Sequence, residues 1–301
     1  QDLGRGSDAT GDVLSGVENL IGSAFGDTLT GDGDANQIEG GAGADTIDGN
    51  AGVDTLLGGA NDDTFVLFQG DFAAGESIDG EGGRDTILLN DPTGVNVDFG
   101  TGNVENVDVI QFGTDSFNTV TVDDTLVSTA DGNDDGTTGE VLFNVAPDLV
   151  NSAPAGVGLT AGVTIDGSSL TSLNAILVDG EFLDGFDFIR GGNGNDTIEG
   201  GAGADNLDGG SAGNDTLSYF NSPAGVTVNL ATGATAGGDA ANDVLDGGGF
   251  LDADGTISFE NIVGSENGDN LTGDQVASEL DGRAGDDILA GAAGDDTLLG
   301  A

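Results

Sequence analysis

Cysteine, histidine, lysine, methionine and tryptophan are all missing from this chain of 301 residues. Without cysteine there are no disulfides, no thiolate nucleophile and no sulfur-ligated zinc or iron–sulfur site. The lack of histidine removes the Ser-His-Asp triad, the H-E-x-x-H zinc motif and the commonest general base at neutral pH. Schiff-base chemistry and the P-loop go with lysine. A single tyrosine, Tyr219, leaves no aromatic platform for stacking sugars. No apolar run approaches the roughly 18 residues that a membrane-crossing helix needs, so no membrane insertion is expected.

Positive charge is nearly absent too. Four arginines face 55 acidic residues, for a formal charge of −51. Self-repulsion on this scale opposes a compact state unless cations neutralise it. With no basic patch to meet a phosphate, nucleic acid is excluded as a partner. Hydrophobic residues nonetheless make up 36% of the chain and are spread along it, which argues against simple disorder. Glycine, at 58 residues, far exceeds its ordinary share of about 7%.

The glycines are periodic. From Gly22 one recurs every nine residues, at Gly31, Gly40, Gly49 and Gly58. The sixth place of each nonamer holds Asp27, Asn36, Asp45, Asp54 and Asp63, and the eighth holds Leu29, Ile38, Ile47, Leu56 and Phe65. Two looser copies follow, with Glu76/Ile78 and Asp85/Ile87. A second array carries Asp187, Asp196 and Asp205 at the sixth place, then Asp215 after one extra residue; a third carries Asp269, Ser278, Asp287 and Asp296. This period fits a strand of about three residues with its apolar member inward, followed by a turn that needs glycine for φ > 0. Two nonamers then make one coil, and the sixth-place residues stack along each edge at about 5 Å, where carboxylates repel. A hard cation with oxygen ligands relieves that repulsion, and flexible coordination by short side chains and turn carbonyls suits Ca²⁺ better than Mg²⁺. The expected fold class is all-β, with parallel β-roll or β-solenoid segments and irregular β-strand regions between them.

GGAGADTID (40–48), GGNGNDTIE (191–199) and GGAGADNLD (200–208) match G-G-x-G-x-D-x-U-x. In these residues the chain resembles the RTX (repeats-in-toxin) family of calcium-binding nonapeptide-repeat proteins. The resemblance implies a parallel β-roll, several bound Ca²⁺ ions and type I secretion to an extracellular setting. As metal ligands it implies Asp27, Asp45, Asp54, Asp63, Asp85, Asp187, Asp196, Asp205, Asp215, Asp269, Asp287 and Asp296, with the turn glycines Gly40, Gly43, Gly191, Gly194, Gly200 and Gly203. Asn36 and Ser278 depart from the sixth-place Asp, and Asp34, Arg283, Ala292 and Ala293 stand where glycine is expected, so sites using those turns should be weakened. Pairing sixth-place residues two repeats apart gives Asp27–Asp45, Asn36–Asp54, Asp45–Asp63, Asp187–Asp205, Asp196–Asp215, Asp269–Asp287 and Ser278–Asp296, or about seven ions of millimolar affinity.

Between the arrays the texture is that of short alternating strands, including VNVDFG (95–100), VDVIQFG (107–113), NTVTVDD (118–124), EVLFNV (140–145) and GVTIDG (162–167). The resulting division is an entry segment 1–21, array 1 over 22–88, an irregular β-rich region 89–181, array 2 over 182–217, a connector 218–263 and array 3 over 264–301. Region 89–181 is open to two readings, irregular solenoid rungs or a β-sandwich. GDAANDVLDG (238–247) offers at most a turn or two of helix. Asp131, Asn133 and Asp135 before Gly136 have calcium-loop spacing, but the twelfth place is Leu142, so this is no EF-hand. Asp252 and Asp254 make a shorter version.

No carboxylate pair stands out as catalytic, and the chain is expected not to be an enzyme. It is expected to be an extracellular calcium-binding structural or adhesive protein that self-associates into a filament or layer; the alternative is the calcium-binding, secretion-assisting portion of a larger secreted enzyme or toxin. The chain starts at Gln1 and stops at Ala301 within a repeat, suggesting a processed or partial chain. Residues 13–59 align without a gap on 255–301, which fits either a duplicated module or an entry segment shared by the arrays.

Overall fold

The computed structural model describes residues 16–113, 118–123, 126, 140–145, 162–170, 175–178, 183–245 and 257–300. The acidic loops at Asp131, Asn133 and Asp135 and at Asp252 and Asp254 lie outside them. The chain divides into two compact units, Gln1–Ala146 and Pro147–Ala301. Each is a β-solenoid built of parallel strands, most of them three or four residues long.

In the first unit one face stacks β1 (Asn19–Ile21), β3 (Gln37–Ala42), β5 (Thr55–Ala60), β7 (Ser77–Gly82) and β10 (Asn103–Glu105), in that order and all parallel. The opposite face stacks β2 (Thr28–Thr30), β4 (Thr46–Asp48), β6 (Thr64–Leu67), β8 (Thr86–Leu89), β11 (Val109–Phe112) and β13 (Glu140–Val145). Eighth-place residues fall in register: Ile38 on Leu56 on Ile78, and Leu29 on Ile47 on Phe65 on Ile87. All except Leu29 are at most 1% exposed. Each contributes roughly 1.5–3 kcal/mol of burial to a core only two side chains thick. Short strands suffice because the repeat, not strand length, accumulates the core.

The described parts of region 89–181 continue this stacking. β11 lies between β8 and β13, and β12 (Asn118–Thr121) pairs in parallel with β9 (Asn96–Asp98). Parallel register, with Phe112 stacked on Phe143 at 6.4 Å between ring centroids, is the solenoid alternative and not the sandwich.

The second unit has three rows. β14 (Val163–Asp166), β16 (Phe188–Arg190), β18 (Asn206–Asp208) and β22 (Val244–Leu245) form the first. β15 (Ala175–Val178), β17 (Thr197–Ile198), β19 (Thr216–Ser218), β23 (Asn261–Val263), β25 (Glu279–Asp281) and β27 (Thr297–Leu299) form the second. The third is β20 (Thr227–Asn229), β24 (Asn270–Thr272) and β26 (Ile288–Ala290), with β21 (Ala234–Ala236) folded back antiparallel on β20. The described part of 238–247 holds a single 3-10 turn, Gly238–Ala240, and the short strand Val244–Leu245. No helix among them is long and apolar enough to cross a membrane.

Candidate metal centres in the turns

The turn that precedes each strand is built from the first six places of the nonamer. In three consecutive turns of the first array the second and fourth places adopt left-handed backbone: Gly41 and Gly43, Asn50 and Gly52, and Gly59 and Asn61 all have positive φ. This conformation is cheap for glycine and tolerable for asparagine. Arg283 and Ala292 occupy second places with φ of 57° and 69°, whereas Asp34 and Ala293 have no positive φ. Two of the four anticipated departures from glycine therefore carry backbone strain.

The first-place glycine has a different task. A Cβ on Gly40 would overlap both Oδ2 of Asp45 and the carbonyl oxygen of Gly58, one coil on. Gly58 stands in the same relation to Asp63 and Gly80, Gly80 to Asp85 and Asn106, and Gly191 to Asp196 and Gly209. The absent side chain leaves a cradle between a carboxylate oxygen and a backbone carbonyl. A fourth-place glycine permits close approach of backbones: a Cβ on Gly43 would collide with Phe25 and Gly26, one on Gly203 with the carbonyl of Gly185, and the carbonyl of Gly194 lies against Gly213. The second-repeat glycine Gly200 faces Oδ2 of Asp205.

Sixth-place carboxylates turn inward across the stack. Oδ1 of Asp45 accepts the N–H of Asp27 at 2.7 Å, and Asp63 and Asp85 accept those of Asp45 and Asp63 at 2.8 Å. On the other edge Asp54 accepts the N–H of Asn36 at 2.7 Å. In the second unit Asp205 accepts from Asp187, Asp215 from Asp196, Asp287 from Asp269 and Asp296 from Ser278, at 2.8–3.1 Å. All seven pairs proposed from the spacing are thus neighbours, joined side chain to backbone instead of facing one another across solvent. Each carboxylate reaches the main chain of the preceding coil because the sixth place lies inside the turn, next to the core strand.

The ladder also recruits residues that the nine-residue period does not reach. Glu76 accepts from Asp54, Asp108 from Asp85, Asp243 from Asp205 and Glu260 from Asp215. Their spacings of 22, 23, 38 and 45 residues reflect loops inserted between coils. Glu76 stands in one of the looser copies; only the local D-x-U or E-x-U pattern before a strand could have pointed to the other three. Asp243 also accepts the hydroxyl of Tyr219 at 2.8 Å, which accounts for the one buried tyrosine.

Oδ2 of Asp45, Asp54, Asp63, Asp85, Asp187 and Asp205 is buried with no hydrogen-bond partner. Unpaired anionic oxygens of this kind are costly. Burial, followed by the negative charge of neighbouring carboxylates, pushes Asp63 up to about 6, Asp85 and Asp187 to about 7, and Asp205 to about 8. Glu76 rises to about 7 for the same reason. Among the described residues no three acidic side chains converge on one point. An ion here would draw on carboxylate oxygen and backbone carbonyls, an all-oxygen set that suits Ca²⁺. The donor chemistry, the unpartnered oxygens and the glycine cradles fit that ion.

The RTX calcium-binding nonapeptide repeat matches the chain in four copies, at residues 13–47, 30–65, 183–217 and 261–300. No curated protein matches the chain.

Proposed function

On the premise that this is a chain of RTX calcium-binding repeats, we propose that it is an extracellular structural or adhesive protein whose β-rolls fold on binding Ca²⁺. The observation that carries this reading is the set of buried, unpartnered Oδ2 atoms at Asp45, Asp54, Asp63, Asp85, Asp187 and Asp205. When bound, Ca²⁺ supplies the positive charge and oxygen affinity that these atoms lack. The chain's own residues do the rest: the sixth-place Asp presents one oxygen, the first-place glycine leaves room beside it, and at Gly40, Gly58 and Gly80 a carbonyl one coil on lies next to that space. An ion that binds only the folded chain stabilises it by RT ln(1 + [Ca²⁺]/Kd) per site. With affinities of about 10⁻⁴–10⁻³ M, typical of extracellular modules, cytosolic calcium leaves such sites empty and extracellular calcium fills them.

The reading is of a scaffold without catalysis; the lack of histidine, cysteine and lysine and the commitment of the buried carboxylates to the ladder support it. Self-association into a filament or layer is supported by the exposed apolar residues Ile288 and Leu298 of the third array, since apolar surface on a solenoid favours further stacking. Circular dichroism in chelator and in about 10 mM Ca²⁺ tests the folding reading: the β signal is expected only with calcium, and an equal signal in both overturns it. Electron microscopy in calcium tests assembly, where rods or filaments are expected and persistent monomers refute it.

A further inference from the structure

The second-place residue divides the turns into two kinds. In the turns of Asp45, Asp54, Asp63, Asp85 and Asp205 this residue is Gly41, Asn50, Gly59, Glu81 or Gly201, with φ between 56° and 117°. These are five of the six turns whose sixth-place Oδ2 is buried and unpartnered; the sixth, that of Asp187, has Leu183 at its second place without positive φ and stands outside this division. In the turns of Asp27, Asn36, Asp196 and Asp269 the second-place residue is Ser23, Asp32, Gly192 or Ser265, and none has positive φ. There its N–H donates to the sixth-place side chain, at 2.5, 2.8, 2.8 and 2.8 Å. One peptide N–H therefore has two destinations. In the second kind of turn it closes on the sixth-place oxygen. In the first kind it points away, and at Asn50 and Glu81 it is taken up by Asp48 and Asp79, two residues earlier, at 2.8 and 2.9 Å. None of the four closed turns has an Asp at that earlier place, which holds Ile21, Thr30, Arg190 or Val263.

An N–H aimed at a carboxylate oxygen stabilises its charge and sets a positive dipole where a cation would approach. We infer that the backbone conformation at the second place selects which turns take Ca²⁺: the open turns at Asp45, Asp54, Asp63, Asp85 and Asp205 hold ions, and the closed turns at Asp27, Asn36, Asp196 and Asp269 are completed by their own backbone and hold none. This rests on the calcium reading above. Two closed turns, Gly22–Asp27 and Gly264–Asp269, share Gly-Ser-x-x-Gly-Asp and open the first and third arrays. Each of these arrays thus begins on a turn that is complete without calcium, and ion-filled turns stack on it.

Native mass spectrometry of the whole folded chain in calcium counts the ions. D45N keeps an oxygen for the ladder but removes the anionic one, and is expected to carry at least one ion fewer than the parent. D269N is expected to keep the parent's count. An ion lost from D269N, or none lost from D45N, overturns the assignment. Should D45N fail to fold, D205N takes its place with the same expectation. The converse variant, V263D/S265G, supplies both a flexible second place and the alternative acceptor two residues before it; one additional ion is expected, and an unchanged count overturns the conformational rule. A parent chain that binds no calcium instead overturns the reading on which the rule rests, before any variant is compared.

Discussion

The coils of the first array and the last two coils of the third are written in the same nonamer, yet they differ in chemistry. In the first, Ile47, Leu56 and Phe65 are at most 1% exposed and Asp45, Asp54 and Asp63 are buried beneath the next coil. In the third, the eighth-place Leu289 is only half-buried and Leu298 is 46% exposed, and Asp287 and Asp296 are only half-buried. The repeat supplies a carboxylate, a cradle and an inward apolar residue; neighbouring coils supply the desolvation that makes the carboxylate costly to leave unpaired. A metal centre here belongs to the stack and not to any single repeat.

The sharpest way to break this comparison is to titrate the ion-free chain. Asp63, Glu76 and Asp85 have folded pKa values of about 6, 7 and 7, all above the ordinary carboxylate range. The folded state therefore holds more protons than the unfolded state between about pH 4 and 7, and its stability falls as pH rises through that window. Below about pH 4 both states are protonated and the penalty is gone. In chelator, acidification from pH 8 to 5 is expected to raise the β signal in circular dichroism. A signal that stays flat or falls would show that these carboxylates do not oppose folding.

Core truncation comes next in size. Phe65→Ala should cost about 3–5 kcal/mol, because Phe65 is fully buried between Ile47 and Ile87. Leu298→Ala, on the exposed coil, should cost less than about 0.5 kcal/mol. Calcium-saturated thermal melts of the two variants give the ratio; equal losses would mean that the last coil is covered in solution.

The glycine cradles sharpen the comparison further. Gly40→Ala forces a Cβ against Asp45 and the backbone carbonyl of Gly58, and should cost about 1–3 kcal/mol. Gly291→Ala meets Asp296 from Oδ2 to Cβ, but no backbone carbonyl is among its nearest neighbours and the turn is only half-buried, so its cost should be smaller. Gly33→Ala, with nothing within 4 Å, is the control and should change stability by less than about 0.5 kcal/mol. The order Gly40, Gly291, Gly33 in melting temperature is the expected result.

Much of this arrangement was legible in the nine-residue period. Ile38, Ile47, Leu56 and Phe65 point inward because each eighth-place residue falls second in its strand. The coil-to-coil neighbours of Asp45 and Asp205 followed from counting two repeats. What the period hides is anything that depends on loop length. Asp108, Asp243 and Glu260 join the ladder only after insertions that no fixed spacing encodes. The period is equally silent on the ninth-place Asp48, Asp79, Asp208 and Asp281, which take up second-place N–H groups, since a side-chain cap is indistinguishable from surface charge until the φ of the next turn is known. The strained places were only half visible: motif comparison flagged Asp34 and Ala293 alongside Arg283 and Ala292, and left-handed backbone singles out the latter two.

Those two residues provide the smallest test. A non-glycine residue in left-handed backbone costs roughly 1–2 kcal/mol, and glycine returns part of that gain through a more flexible unfolded chain. Ala292 has φ of 69°, so Ala292→Gly is expected to stabilise the third array by about 0.5–1 kcal/mol, raising its calcium-saturated melting temperature by about 1–3 °C. Arg283 has nearly the same φ of 57°, but its guanidinium lies 4.1 Å from the ring centroid of Phe220 and 2.9 Å from Glu266. Arg283→Gly loses both contacts, each worth about 0.5–1 kcal/mol at an exposed site, and should leave the melting temperature near its starting value. If both variants stabilise equally, the Arg283 contacts contribute nothing. If neither does, the strain attributed to the second place is relieved in solution, and the turns of the third array are more plastic than those of the first.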